Sequence, residues 1–246
     1  MTVDFSNLTQ LRQALEATWP PAATTRLGDW LLRDGQGGGK RVSAATPAGP
    51  DALDQIDEAI AEMERQGQTP LFSLTPEEAP IDRALIARGF GKVDPVTVYV
   101  CDLGAVFPPI PEDARVSPLW EPLAITREIW AAGRIGAERL AVMDRVTGPK
   151  TSLLGRINDR PAAAAFVAAD GEIACLHALE VRSAARRQGM ARAMMLGAMD
   201  WARQAGATHL AIAVTDANDA AIGLYRALGM EACDSYHYRI AMRTGN

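Results

Sequence analysis

The stretch from Val181 to Ala191 reads V-R-S-A-A-R-R-Q-G-M-A, and it decides the fold that we expect. An apolar run from Glu172 to Val181 precedes it and a helical pattern from Met190 to Ala205 follows it, so a strand, a loop and a helix are predicted. The first N–H groups of such a helix lack partners within it and attract anions. Gly189 lets the backbone approach a ligand closely. The stretch predicts a phosphate-binding loop, although this spacing alone also fits a solvated basic turn.

A second motif lies further along the chain. The run from His209 to Val214 predicts a strand, and the segment from Asn218 to Met230 reads N-D-A-A-I-G-L-Y-R-A-L-G-M. Asn218 is a typical N-cap and Gly229 a typical helix stop, so a helix is predicted between them. A strand, the helix after Gly189 and a second strand indicate a βαβ unit.

In this order, R-x-x-G-x-A from Arg186 to Ala191 and N-x-x-A-x-x-L-Y-x-x-x-G-M from Asn218 to Met230 resemble the GNAT superfamily of N-acetyltransferases. The likeness covers Val116 to Met242 as a fold, and its specific motifs lie between Ile173 and Met230. It implies fold class α/β, of the α+β type, with a mixed, largely antiparallel central sheet flanked by helices.

The resemblance implies acetyl-CoA as the acyl donor. In the family the glycine-containing loop wraps the pyrophosphate, and the preceding strand splays from its neighbour to admit the pantetheine arm. Asn218 can contact the donor as well, although an N-cap role explains it equally. The residues expected to bind the donor are Leu179, Val181, Arg186, Arg187, Gln188, Gly189, Met190, Ala191, Arg192 and Asn218.

Two residues are predicted to act in catalysis. By resemblance, Tyr225 is the general acid that protonates the departing thiolate, and ring packing in the core is the alternative. An amine must be neutral to attack, and His177 is the predicted base because imidazole titrates near neutral pH. The string L-H-A-L-E-V around it is similar to a strand of serotonin N-acetyltransferase, and a packed strand histidine is the alternative. Regular alternation turns Glu180, the second candidate base, to the opposite face.

A proline-rich segment, A-V-F-P-P-I-P-E, is predicted to be a linker at 105–112. Three closely spaced prolines continue neither a helix nor a central strand. We therefore expect two GNAT-like domains, a degenerate one at 1–104 and a catalytic one at 113–246. Within the first, strands at 29–33 and 40–46 are expected to form a hairpin around the glycines at 37–39.

The first half repeats the element order of the second, which indicates a duplication, with coincidence as the alternative. Aligning Gly89-Phe90 with Gly229-Met230 places Leu85 where Tyr225 stands and Glu78 where Asn218 stands. A leucine has no proton to give, and a carboxylate repels phosphate. The first half is therefore expected to be catalytically silent.

Composition excludes several classes of protein. The chain has 246 residues, 48% hydrophobic, with a formal charge of −5, which disfavours binding to nucleic acid or an anionic membrane. No secretory signal or membrane-spanning run is evident, so we expect a cytoplasmic protein without membrane contact. The three cysteines and three histidines form no metal-ligand spacing, and no metal is predicted. G-Q-G-G-G-K at 35–40 does not satisfy the P-loop pattern.

The sequence thus predicts an N-acetyltransferase that moves an acetyl group from acetyl-CoA to a primary amine by direct attack in a ternary complex. Small-molecule and peptide amines both fit as acceptors. A non-catalytic acyl-CoA-binding or interaction module and an acyltransferase that uses a longer acyl-CoA are the alternatives. The sequence makes no prediction of oligomeric state.

Overall fold

The computed structural model describes residues 7–242 of the chain. Its helices are α1 (Leu8–Ala17), α2 (Ile56–Arg65), α3 (Ala79–Ala87), α4 (Ala124–Ala132), α5 (Ala137–Arg145), α6 (Met190–Gln204) and α7 (Asp219–Ala227). Its strands are β1 (Ala23–Leu27), β2 (Trp30–Asp34), β3 (Thr46–Pro47), β4 (Leu71–Leu74), β5 (Phe90–Asp102), β6 (Ala114–Leu119), β7 (Lys150–Ile157), β8 (Arg160–Asp170), β9 (Ile173–Val181), β10 (His209–Thr215) and β11 (Glu231–Ala241). The mixed α/β class expected from the sequence is confirmed.

The described chain divides into two compact units. The major unit contains residues 7–20, 98–213 and 220–233, and the minor unit contains 21–97, 214–219 and 234–242. These units do not follow the predicted division into 1–104 and 113–246. The chain changes unit within β5, β10 and β11, so a cut at one linker in the sequence does not separate them.

The proline-rich segment at 105–112 has no helix or strand, and it belongs to the major unit. Arg203 of α6 holds its beginning. The guanidinium donates hydrogen bonds of 2.7 Å to the carbonyl oxygens of Leu103 and Ala105 and stacks over the ring of Phe107 at 5.2 Å. The segment is therefore anchored along α6.

The major unit is built on a sheet with strand order β5-β10-β9-β8-β7-β6. Pairing is antiparallel from β6 to β9 and parallel between β9 and β10. Helix α6 covers one face, where Gly155 makes room for Met190 and Met194. Gly155 pairs with Ala163, so alternation turns Ala164 and Phe166 to the opposite face. Both faces of β8 are covered, which explains its continuous apolar run.

The minor unit has its own core, made of Trp30, Phe72 and Phe90. The ring centroids lie 5.0 Å apart for the first two and 5.5 Å apart for the last two. The indole N–H of Trp30 donates to the carbonyl oxygen of Ala52 at 2.9 Å, so its one polar atom is satisfied. Around this core, β1 pairs with β2 and β2 with β3, while β4 pairs antiparallel with β11.

The predicted hairpin around the glycines at 37–39 is confirmed in part, because β2 pairs antiparallel with β3, but the second strand is much shorter than expected. A second hairpin, which was not predicted, joins β1 to β2 through a turn at Gly28, whose φ of +54° suits glycine. Residues Lys40–Val42 form a 3₁₀ turn, and the strand that follows is only Thr46–Pro47. Arg33 holds this region with hydrogen bonds to the carbonyl oxygen of Ala44 and the hydroxyl of Thr46.

A largely buried ion cluster joins α3 to β11 within the minor unit. The carboxylate of Asp82 accepts hydrogen bonds from Arg239 at 2.7 and 2.9 Å and from Nε2 of His237 at 2.7 Å. The Arg239 hydrogen bond is the main reason why the pKa of Asp82 falls from 3.8 to about 2. Because Arg239 is only 8% exposed, its positive charge depends on this carboxylate for a counter-charge.

Asp82→Asn is expected to lower the free energy of unfolding by about 1–3 kcal/mol at pH 7, since it leaves a buried guanidinium without its charged partner. The folded-state pKa lies below the unfolded value, so this contribution is present above about pH 4 and is lost as the pH falls towards 2. Chemical denaturation across this range measures both effects. Asp57→Asn is the control, because the Asp57–Arg88 pair is exposed. Equal losses in the two variants would contradict the prediction.

Candidate active site

A β-bulge in β9 is the central feature of the major unit. His177 pairs with Phe166 and Glu180 pairs with Ala164, so three steps along β9 match two along β8. The bulged residue Ala178 has a φ of +52°. Residues that face each other across a ladder share a face of the sheet, so Glu180 and His177 lie on the same face. The expected opposite orientation of Glu180 is therefore corrected.

Trp130 of α4 holds the bulge in place. Its indole N–H donates a 2.8 Å hydrogen bond to the carbonyl oxygen of Ala178, and its ring is fully buried. Gly133 ends the same helix, and a Cβ there would lie 2.5 Å from the carboxylate carbon of Glu180. A glycine at this position therefore makes room for the Glu180 side chain, which is 21% exposed.

Strands β9 and β10 separate close to the bulge. Their pairing runs from Ile173–His209 to Cys175–Ala211, whereas β9 continues to Val181. The last residues of β9, among them Leu179 and Val181, are half-buried. The structure thus has the opening between adjacent strands that the resemblance implies, and it places both residues beyond the last paired position.

The loop after β9 leads into α6. Within it Arg187 and Gly189 have φ values of +62° and +80°, and α6 begins at Met190. A Cβ on Gly189 would meet no atom within 4 Å, so the space in front of it is open. The first amides of α6 have no partner within the helix, and the helix dipole adds positive potential there. This arrangement suits a phosphate group.

The predicted loop residues present different groups. Arg187, Gln188 and Arg192 are exposed, whereas Met190 is buried and offers only its backbone. Ala191 is half-buried, and the amide of Gln188 donates to the carbonyl oxygen of Ala184 at 2.8 Å. These positions combine backbone amides with two exposed guanidinium groups.

Arg186 contacts the end of β9 and its guanidinium is shared between two acceptors. It lies 3.2 Å from the carboxylate of Glu180 and donates at 3.1 Å to the carbonyl oxygen of Val181. The residue therefore connects the loop to the bulged strand, a role that its position in the R-x-x-G-x-A motif did not reveal.

His177 is buried between aromatic rings. It is 5% exposed, and its ring centroid lies 5.0 Å from that of Trp19 and 6.3 Å from that of Phe166. Its Nε2 atom is 2.9 Å from the hydroxyl of Thr18, which donates its one proton to the carbonyl oxygen of Ala14 at 2.7 Å. With the hydroxyl proton directed at Ala14, Nε2 is assigned as the donor in this contact. This geometry favours a positioning role over a base acting through Nε2.

Tyr225 lies in α7 and is 4% exposed. Its ring centroid is 5.9 Å from that of Tyr99. Burial raises the pKa of the Tyr225 hydroxyl to about 12, so the phenol holds its proton at neutral pH. This protonation state is the one that a general acid requires.

Asn218 is exposed, and it lies in the turn before α7. Its backbone N–H donates to the carbonyl oxygen of Thr215 at 2.9 Å. Asn218 belongs to the minor unit and Tyr225 to the major unit.

The sequence predicts neither a metal site nor a membrane-spanning helix. Across residues 7–242, no three His, Cys, Asp or Glu side chains are placed to hold a metal ion together. In that part of the chain, none of the helices combines the length and apolar character needed to span a bilayer. Both findings apply to the described residues alone.

Residues 123–230 match the model of the acetyltransferase (GNAT) family. The segment runs from the start of α4 to the end of α7 and includes the bulge, the opening between β9 and β10, and the loop before α6. The match covers 108 of the 246 residues and shows that this segment is similar to the GNAT acetyltransferases. No curated protein has a significantly similar sequence.

Solved structures extend the fold likeness beyond that segment. A GCN5-related N-acetyltransferase from Kribbella flavida is 19% identical with a TM-score of 0.71, and the match covers 100% of this chain and 98% of that one. A GCN5-related N-acetyltransferase from Sphaerobacter thermophilus is 14% identical, covers 96% and 85%, and has a TM-score of 0.65. A tandem GNAT protein from the clavulanic acid biosynthesis pathway is 16% identical, covers 92% and 86%, and has a TM-score of 0.63. These likenesses show the fold.

Thr18→Val is expected to lower the free energy of unfolding by about 1–3 kcal/mol, because the buried Nε2–H of His177 loses its acceptor. Thr18→Ser keeps the hydroxyl and is the matched control. Its free energy of unfolding should stay close to that of the wild type. Chemical denaturation measures the difference, and ¹⁵N NMR of the imidazole reports the protonated nitrogen. An unprotonated Nε2 in the neutral wild-type ring would contradict the assignment.

Proposed function

We propose that the protein transfers an acetyl group from acetyl-CoA to a primary amine by direct attack in a ternary complex. The observation that carries the proposal is the bulge at Ala178, which turns Glu180 to the face of His177 beside the opening between β9 and β10. A carboxylate, a strand opening and a phosphate loop then lie along one continuous stretch of chain from β9 to α6.

The donor binds along this stretch. Its pyrophosphate lies at the N-terminus of α6, where the backbone amides of Gly189, Met190 and Ala191 point outwards and Arg187 and Arg192 add charge. Gln188 and Arg186 complete the loop. The pantetheine arm passes Leu179 and Val181, where β9 leaves β10. Asn218 is a further donor contact at the start of α7.

The donor supplies an acetyl group that is activated as a thioester. Glu180 accepts the proton of the incoming amine, directly or through water, so that the nitrogen lone pair becomes available for attack. Glu180 takes this role in place of His177, because the imidazole is 5% exposed and its Nε2 contacts Thr18, whereas the Glu180 side chain is 21% exposed. Tyr225 keeps its proton at neutral pH and donates it to the departing sulfur. The acceptor is a small-molecule or peptide amine.

We also propose that the N-terminal half of the chain, at 1–104, is a degenerate GNAT-like domain without catalytic activity. Its Leu85 is fully buried. The carboxylate of its Glu78 is occupied in a capping box, where it accepts hydrogen bonds from the backbone N–H and the hydroxyl of Thr75. Neither residue can replace Tyr225 or Asn218 as a proton donor or an amide ligand.

Gly189→Glu is expected to abolish acetyl-CoA binding in isothermal titration calorimetry, since it places a strained side chain and a negative charge at the phosphate site. Gly171→Glu is the control. That glycine also has a positive φ and open space in front of it, but it lies in the turn between β8 and β9. Acetyl-CoA binding that survives in Gly189→Glu and is lost in Gly171→Glu contradicts the assigned loop.

Glu180→Gln is expected to lower kcat/KM by about 10²-fold or more, with little change in the affinity for acetyl-CoA, since a positioned base contributes this much. Thiol release over a panel of amines measures the rate. Glu172→Gln removes an exposed carboxylate just before β9 and is the control.

Other outcomes of the thiol-release assay separate the alternatives. If His177→Gln abolishes the rate and Glu180→Gln preserves it, His177 is the base after all. Turnover with hexanoyl-CoA in place of acetyl-CoA indicates an acyltransferase that uses a longer acyl group. Tight acetyl-CoA binding without thiol release for any amine indicates a non-catalytic module.

A further inference from the structure

A pocket of about 740 Å³ lies at the end of the β7–β8 hairpin, against the loop that precedes α6. Its polar lining residues are Asn158, Arg160, Arg182 and Gln188. Small apolar side chains such as Pro161 and Ala184 form the rest of the wall. The volume is in the range of small-ligand sites.

The charge in this pocket is positive. Arg160 is exposed, and its side chain makes no hydrogen bond or ion pair with any residue of the described chain. Arg182 is 39% exposed and reaches one carboxylate, that of Glu128, at 4.0 Å. The acidic residue next to Arg160, Asp159, is 3.9 Å from Arg115. The positive charge of Arg160 thus has no carboxylate beside it, and that of Arg182 has only the carboxylate of Glu128 at 4.0 Å.

The groups that line the pocket are held on rigid backbone. Asn158 and Asp159 have φ values of +49° and +61°, as in the tight turns that close two-residue hairpins. The N–H of Asn158 donates to the carbonyl oxygen of Asp113 at 2.9 Å, and that of Arg182 donates to the carbonyl oxygen of Ala162 at 2.9 Å. The pocket is therefore formed before a ligand enters.

We propose that this pocket binds a phosphomonoester. A phosphate dianion offers several acceptor oxygens to two guanidinium groups, which bind such groups in a forked geometry. The amides of Asn158 and Gln188 add polar contacts, and the apolar wall accommodates the organic part of the molecule. An uncharged ligand would leave the Arg160 guanidinium without a counter-charge.

Two kinds of molecule could supply the phosphomonoester. One is the 3′-phosphate of the acetyl donor, because Gln188 belongs both to the pocket and to the loop proposed to hold the pyrophosphate. This source rests on the proposed function. The other is a separate phosphorylated small molecule that binds beside the donor. The pocket serves the same chemical group in both cases.

The first experiment uses adenosine 3′,5′-bisphosphate as the probe in isothermal titration calorimetry. Arg160→Ala is expected to weaken its binding about tenfold or more, the usual effect of removing a charged hydrogen-bond donor. Arg160→Lys should retain part of the affinity. Arg156→Ala removes an exposed arginine of β7 that does not line the pocket and should change the affinity less than twofold. Equal affinities in wild type and Arg160→Ala overturn the proposal.

A second experiment identifies the source of the phosphate. If the donor occupies the pocket, acetyl-CoA binds about tenfold or more tightly than acetyl-dephospho-CoA, and Arg160→Ala removes this preference. If a separate molecule occupies it, the two donors bind equally, and the bisphosphate probe still binds the protein saturated with acetyl-dephospho-CoA in an Arg160-dependent manner. Absence of any Arg160-dependent binding overturns the pocket. Arg160-dependent binding without acetyl transfer to any amine overturns the proposed function alone.

Discussion

The bulge at Ala178, held by the hydrogen bond from the Trp130 indole, is the constraint on which the rest of the site depends. In a regular strand Glu180 would face α6, where the sheet is covered. One extra residue in β9 turns this carboxylate to the face of His177. The φ of +52° at Ala178 is unfavourable for a residue with a Cβ, so the surrounding contacts must hold it. The buried Trp130 supplies such a contact.

Arg186 also links the loop before α6 to the carboxylate of Glu180 in β9. Arg186 contacts both the carboxylate of Glu180 and the carbonyl oxygen of Val181, so the loop before α6 is linked to the bulged strand. A phosphate at the start of α6 would compete with Glu180 for this guanidinium, because both are anions within reach of the same loop. An anion bound at this loop would therefore change the electrostatic environment of the Glu180 carboxylate. This positive charge is local, because the whole chain has a formal charge of −5.

The local part of this arrangement could be predicted from the sequence, because it depends on neighbours along the chain. The strand, loop and helix around Gly189, and the helix that carries Tyr225, follow from apolar periodicity, glycine and capping residues. The bulge could not be predicted, since L-H-A-L-E-V has the composition of a regular strand and contains neither glycine nor proline. Its cause, Trp130, lies 48 residues away and acts through a tertiary hydrogen bond. Two domains were expected, but the bounds of the two units could not be predicted, because the chain changes unit within its strands.

His177 shows why a matching string does not carry a residue's role. His177 lies close in sequence to the loop before α6. Its hydrogen-bond partner Thr18, however, lies just after α1 and is 159 residues away in the sequence. Thr18 has one proton and gives it to Ala14, so the imidazole is assigned as the donor to the hydroxyl. Trp19 and Phe166 pack around the ring. The imidazole is 5% exposed and packs between the aromatic cluster and the bulge, whereas the Glu180 side chain is 21% exposed. Two titratable side chains on one face of β9 therefore differ in burial and in their partners, and both differences come from tertiary contacts that the string L-H-A-L-E-V does not contain.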